Sequence, residues 1–319
     1  MENYVFELEG GVFGFFQRNE EDCFLYINSG LLSRVYHYRW SHWLQGENNY
    51  NEVFPDAINL NETYKAIGYF SWHQLYDRCP YTPIVINASK KLQSGIYYPR
   101  INRGEPGIFN QQSIEPKFLD EIRSFSNILD SLNLIFNYID PDIGNLQCFG
   151  SKIRELLIIA CTEVEYLLQN FLADNKYMPD KDRFSTKDYV KSLNFLKLNE
   201  YSVSLDFYPN LKNWSPFKDW DENRPTASLD WYNAYNAVKH NRGANKNKAS
   251  LEAVINAVAA IHILLVSQYG NDIFNNPLKS NFHSIFNTTS VPKFLVSELE
   301  CPCMGHDKLY WDRKSYLFT

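Results

Sequence analysis

At 319 residues, 45% hydrophobic and 16% aromatic, the chain has the length for one large domain or two ordinary ones, and the apolar content for substantial cores. A net charge of −6 excludes a globally basic nucleic-acid binder, so any contact with RNA or DNA has to come from a local basic patch. The six cysteines are scattered rather than framed as disulfides, Met1-Glu2-Asn3 opens acidic without a secretory pattern, and the longest nearly apolar run, Ala257 to Val266, is too short for a bilayer; the expected place is the cytoplasm, with no membrane partner.

Residues 1–113 read as a strand-rich, aromatic region. Tyr4 to Leu8 alternates, Gly10-Gly11 signals a turn, and Val12 to Phe16 follows. Cys23 to Ile27 is a further strand before Asn28-Ser29-Gly30, and Leu31 to Trp43, Pro83 to Ile86 and Gly95 to Tyr98 continue the pattern. Glu62 to Tyr76 has helical character, and Asn102 to Ser113, with Gly104, Pro106 and Gly107, reads as a linker.

The character changes over 114–275. Pro116 suits a first helical position, and Phe118, Ile122, Phe125, Leu129, Leu132 and Phe136 recur at steps of four and three until Asp140-Pro141. Ile153, Leu157, Ala160, Val164, Leu167 and Phe171 mark a second helix over about 151–173, and Thr186 to Leu196 a shorter one. Leu211 to Ser228 is irregular. A helix from Trp231 to Arg242 ends at Gly243, and Ser250 caps another whose stripe is Leu251, Val254, Val258, Ile261 and Leu265, closed by Gly270. Residues 276–319 form a mixed extension in which Val291 to Val296 and Leu309 to Trp311 read as strands, expected to pack on the N-terminal region. The fold class expected is α+β.

The segment Trp231 to Arg242 carries the chemistry. Asn236 and His240 are four apart and share a helix face, with Asn233 one turn earlier and Lys239 flanking. Lys239, His240, Arg242, Lys246 and Lys248 make a basic cluster in an acidic chain. Such side chains bind phosphate and supply a proton acceptor and a stabilising charge, and an imidazole does acid–base work near neutrality without a metal or cofactor. Glu163 borders the stripe of the second helix, where a carboxylate needs a partner; the focal helix offers a cation or the imidazole. The same residues serve equally as caps of a helix-to-loop corner, with Glu163 in a buried ion pair to Arg242 or His240.

Trp231 to Arg242 followed by Ala249 to Ala260 resembles the final helix pair of HEPN-type helical domains. Arg154-Glu155-Leu156-Leu157 with Cys161-Thr162-Glu163-Val164-Glu165 resembles their acidic early helix, and Pro216 to Trp220 resembles a bacterial branch of them. The resemblance spans about 115–272. It implies an all-helical bundle, a homodimer, and activity on RNA as a metal-independent endoribonuclease of toxin–antitoxin or antiviral defence systems, with an antitoxin or defence partner. His240 would be the catalytic His, Lys239 and Arg242 the charge stabilisers, Asn236 the phosphate positioner and Glu163 the orienting group; Asn233, Lys246 and Lys248 would contact the ligand. The family's Arg, four to six residues before the His, is absent: Asn233, Ala234 and Tyr235 stand there. Either Lys239 or Arg242 replaces it, or the domain is inactive and binds a nucleotide, RNA or protein.

Two other groups invite chemistry. Cys301, Cys303 and His306, with His283 as a fourth ligand, have the look of a metal half-site, though two cysteines in a surface turn is the favoured reading. Tyr36 to Trp43 interleaves aromatic and cationic residues, as a base-stacking surface does, but such a strand more often buries its aromatic face.

Overall fold

A computed structural model of the chain describes residues 1–28, 34–46, 48–53, 61–75, 84–113, 115–274, 282–306 and 308–316. The elements in chain order are β1 (Glu2–Leu8), β2 (Phe13–Arg18), β3 (Asp22–Ile27), β4 (Val35–Arg39), α1 (Trp40–Leu44), α2 (Tyr50–Val53), α3 (Glu62–Leu75), β5 (Val85–Lys91), β6 (Ile96–Tyr97), α4 (Ile108–Gln112), α5 (Pro116–Phe136), α6 (Ser151–Asp174), α7 (Thr186–Tyr189), α8 (Ser192–Leu196), β7 (Ser202–Leu205), α9 (Asp230–His240), α10 (Leu251–Tyr269), β8 (Phe286–Ser290), β9 (Cys303–Gly305), β10 (Lys308–Tyr310) and β11 (Asp312–Arg313). The fold class is α+β. The chain divides into two compact units: Met1–Tyr97 with Glu105–Gly107 and Phe294–Arg313, and Tyr98–Gly104 with Ile108–Lys293 and Lys314–Thr319.

The first unit is built on an antiparallel sheet in the order β4-β3-β2-β1-β5. Gly10 and Gly11 both have positive φ, the backbone that a tight turn between β1 and β2 demands. Gly14 admits no side chain, because a Cβ there would meet the Tyr26 carbonyl at 2.3 Å and the Phe6 ring at 2.4 Å. One sheet face, with Phe6, Leu8, Phe16, Leu25 and Ile27, packs on Trp40, Trp43, Ile67 and Phe70 of α1 and α3. The other, with Val5, Phe15, Phe24 and Tyr26, is covered by Val296, Leu299, Cys301 and Met304. Cover on both faces is why β1 to β3 read as nearly continuous apolar runs rather than strict alternation.

In the second unit α5, α6, α9 and α10 pack together around one core. Only Glu252 and Asn256 of α10 escape burial, so its all-round apolar sequence answers to a helix enclosed by protein. By length and composition α6 and α10 are each long and apolar enough to cross a bilayer; in the fold that apolar surface lines the core. Ser250 accepts from the Ala253 N–H, and the N–H groups of Leu251 and Glu252 donate to the Cys148 and Leu146 carbonyls, so the first turn of α10 is satisfied by the loop before α6.

Several elements differ from the sequence reading. Leu31 to Trp43 is not one strand: β4 ends at Arg39 and α1 begins at Trp40, while 31–33 lie outside the described residues. Tyr76, Cys79, Pro83 and the Ser29-Gly30 turn also lie outside them. The expected linker contains α4, and Thr186 to Leu196 splits into α7 and α8. Val291 to Val296 is not a strand; the strand is β8, just before it, which pairs with β7 in the helical unit. The helical unit therefore runs to Lys293 rather than to 275.

Candidate functional site

α9 is set by its aromatic side. Trp231 is buried and its indole donates to the Pro216 carbonyl at 2.8 Å, fixing the irregular segment before the helix. Tyr232, Tyr235 and Val238 turn toward the core, and the Tyr232 hydroxyl donates to Glu165 Oε1 at 2.6 Å. Burial pushes the Tyr232 phenol far above its ordinary value, and Glu165 adds to the effect. These anchors leave Asn233 and His240, seven residues apart, on the exposed side.

The helix ends at His240, three residues short of Gly243. Asn241 ends it: its N–H donates to Ala237 O at 3.0 Å, and the Asn245 amide closes the corner by donating to Ala237 O at 3.2 Å and Asn241 O at 3.0 Å. Arg242 is thus in the turn rather than on the helix, and Lys246 and Lys248 lie on a short 3₁₀ turn. All three are exposed, as is His240, so the basic corner faces water.

Two expected members are otherwise engaged. Asn236 is half-buried, and its amide donates back to the Tyr232 carbonyl at 3.1 Å. Lys239 donates to the Tyr235 hydroxyl at 2.7 Å and lies 4.9 Å over that ring. That hydrogen bond, more than the nearby Glu165 charge, raises the Lys239 amine above its ordinary value, so it stays a cation held on the aromatic side.

Glu163 does not meet α9. Its electrostatic neighbours are Glu121 and Asp120 of α5, and its Oε1 is buried with no hydrogen-bond partner among the described residues. The carboxylate facing α9 is Glu165, two residues on and therefore on another side of α6. Sequence spacing does not separate the two, since both flank apolar positions of α6; only the packing of α5 and α9 on α6 does. Burial first, then the Glu121 and Asp120 charges, raises the Glu163 carboxyl from 4.5 to about 7. With its folded pKa raised, the stability is fully present below the unfolded value of 4.5 and declines as pH climbs to about 7. Glu163→Gln is expected to stabilise the chain by about 1–2 kcal/mol at pH 8, after discounting for partial solvent screening, and by almost nothing at pH 4; urea unfolding at both pH values checks this. Equal gains at the two would refute it.

The cysteine–histidine group does not assemble. Cys301 is buried, its thiol donating to the Tyr4 carbonyl at 3.8 Å, and burial pushes that thiol far above its ordinary value. His306 is exposed and sets its ring edge-on to His37 at 4.6 Å, and His283 is an exposed residue of the helical unit. Among the described residues no group of three or more His, Cys, Asp or Glu side chains is placed to hold a metal ion. In Tyr36 to Trp43 the aromatic members Tyr36, Trp40 and Trp43 are buried, while His37 and Arg39 bind Asp22 at 2.8 and 3.0 Å.

The fold and site define an α+β protein whose helical unit presents an exposed histidine beside a basic turn. Comparison with protein-family models, curated proteins and solved structures found no match, by sequence or by fold.

Proposed function

We propose that the helical unit is a HEPN-like bundle that acts on RNA, as a metal-independent endoribonuclease of the bacterial defence or toxin kind, working in the cytoplasm as a homodimer. One observation carries this reading: an exposed imidazole, His240, shares a free helix face with Asn233 and adjoins the exposed cations Arg242, Lys246 and Lys248. In this scheme His240 is the general acid and base on the ribose 2′-hydroxyl and leaving oxygen, and Arg242 stabilises the charge that develops on phosphorus-bound oxygen. Asn233, Lys246 and Lys248 hold the strand. Asn236 and Lys239 position the helix from behind, and Glu163 takes no part.

A second reading has its own support. The cation next to His240 on the helix, Lys239, is bound to Tyr235, and the α6 carboxylate that meets α9, Glu165, is bound to Tyr232. Among the described residues no carboxylate is paired with His240. That arrangement suits a module that binds RNA, a nucleotide or an antitoxin-like partner and dimerises without cleaving. Incubation of purified protein with total RNA, with and without EDTA, separates the two. Cleavage that resists EDTA and falls about 100-fold or more in His240→Ala supports the enzyme. Equal cleavage by wild type and His240→Ala would sink it.

A further inference from the structure

A groove of about 520 Å³ opens within the helical unit beside the first turn of α9. Its volume suits one nucleotide-sized ligand. Its lining is strongly polar and carries both signs of charge: Lys212, Lys218 and Lys248 against Asp219, Asp230 and Glu252. One pair cancels internally, since Lys212 binds Glu252 at 2.5 Å and lies 5.0 Å over the Trp214 ring. The other four charged side chains have no ion-pair partner among the described residues, so two cations and two anions face the groove unneutralised.

The chemistry of those four narrows the ligand. Unpaired ammonium groups ask for an anion with several acceptor oxygens, which a phosphate supplies. Unpaired carboxylates ask for a hydroxyl or amine donor. Trp214, which forms part of the wall, is 1% exposed, and its indole N–H is buried with no acceptor among the described residues, so the polar groups open to a ligand are the four unpaired charged side chains. Trp214 and Trp231 are both buried, at 1% and 5% exposure, and offer no open ring on which a base can stack. Recognition is therefore of a phosphorylated, hydroxyl-bearing moiety rather than of a base. Lys248 belongs both to this groove and to the basic turn after α9, which links the groove at the start of α9 to the basic turn at its end.

We propose that this groove binds the ribose–phosphate backbone of single-stranded RNA, Lys218 and Lys248 taking phosphate oxygens and Asp219 and Asp230 accepting from a ribose 2′-hydroxyl. The proposal rests on the RNA reading of the same helix and adds to it a means of telling RNA from DNA. A deoxyribose backbone has no donor for the two carboxylates, which then face phosphates with nothing to pair them; attraction to RNA and repulsion of DNA act together.

The test is fluorescence anisotropy at one fixed salt concentration, on full-length protein carrying His240→Ala so that no strand is cut, with a labelled oligouridylate and the matching oligodeoxyuridylate. The oligouridylate is expected to bind about ten-fold tighter. Lys218→Ala weakens both strands by a similar factor of about five to ten, as a phosphate contact does. Asp219→Asn with Asp230→Asn raises the affinity for the deoxy strand and removes the preference, at unchanged thermal midpoint. Equal binding of the two strands by the parent protein overturns the proposal. So does an intact preference in the double Asn variant, or displacement of RNA by micromolar ribose 5-phosphate, which would make the ligand a free sugar phosphate. Absence of RNA cleavage in the wild type leaves these binding outcomes intact, so failure of the nuclease reading and failure of this one are told apart.

Discussion

Glu121→Ala is expected to destabilise the chain by about 3–5 kcal/mol, the cost of removing one partner from a buried ion pair. Glu121 sits on α5 and is 1% exposed. Its carboxylate receives Arg100 through both terminal guanidinium nitrogens, the Tyr269 hydroxyl at 2.8 Å and the Asn170 amide at 3.2 Å. Arg100, itself 2% exposed, also reaches Asp174 on α6 at 2.7 Å and Gln268 on α10 at 2.6 Å. Burial opposes ionisation of Asp174, but Arg100 and Lys117 outweigh it and hold that carboxyl below its ordinary value. The guanidinium thus ties the segment before α4 to three long helices, and it does so from a left-handed backbone, φ 61°, that an arginine adopts only at a cost. Alanine at 121 leaves a buried cation with half its partners and orphans the Tyr269 hydroxyl. Glu121→Gln keeps the shape and two acceptor contacts, so it is expected to cost about half as much. Urea unfolding followed by circular dichroism measures both; a loss below about 1 kcal/mol for the alanine variant would show that the network contributes only surface-like energy.

Acidification from pH 6.5 to 4.5 is expected to remove about 2–3 kcal/mol through His262 alone. This side chain is in the middle of α10, 2% exposed, with Nδ1 at 2.8 Å from Ser284 Oγ and Nε2 at 3.0 Å from Thr288 Oγ1. The Phe274 ring stacks on it at 4.8 Å, and Phe125 and Phe286 flank it. Burial without a counter-charge lowers its pKa from 6.5 to about 3. A depressed histidine favours the neutral folded form, so its stability is fully present above the unfolded value of 6.5 and is lost as pH falls toward about 3. Because carboxylates titrate over the same range, the informative quantity is the difference between wild type and His262→Gln, each measured at pH 7 and pH 4.5. The glutamine variant starts less stable and loses less on acidification; parallel losses would remove His262 as the cause.

Much of the fold was legible because it is written in local periods. The stripes of α5 and α6 recur every three to four residues, and those helices begin at Pro116 and Ser151 as the pattern has them. The strand runs at Tyr4, Phe13 and Cys23 fall in β1, β2 and β3. What was not legible lacks a period. α4 is a single short helix inside a Gly- and Pro-punctuated stretch. β7 and β8 are short strands, of which β8, Phe-Asn-Thr-Thr-Ser, is mostly polar and is defined by its pairing with β7. Trp40 to Leu44 has strand-like composition, yet the chain turns helical there and buries Trp40 and Trp43 against the sheet.

The candidate site divides the same way. That α9 is a helix, that His240 and Asn233 share a side of it, and that Lys246 and Lys248 follow it closely are determined by residues within a few positions of one another, and the sequence alone determines them; that Arg242 leaves the helix for the turn was decided by the corner that Asn241 and Asn245 close. Which carboxylate meets that helix was decided only by tertiary structure. Glu165, not Glu163, faces Tyr232, because a step of two on α6 turns a side chain to another side and the packing of α5 and α9 chooses between them. The Arg100–Glu121–Asp174 network and the groove that brings Lys218, Asp230 and Lys248 together are likewise tertiary, since a linear pattern records which faces are apolar but not which helix will cover each one.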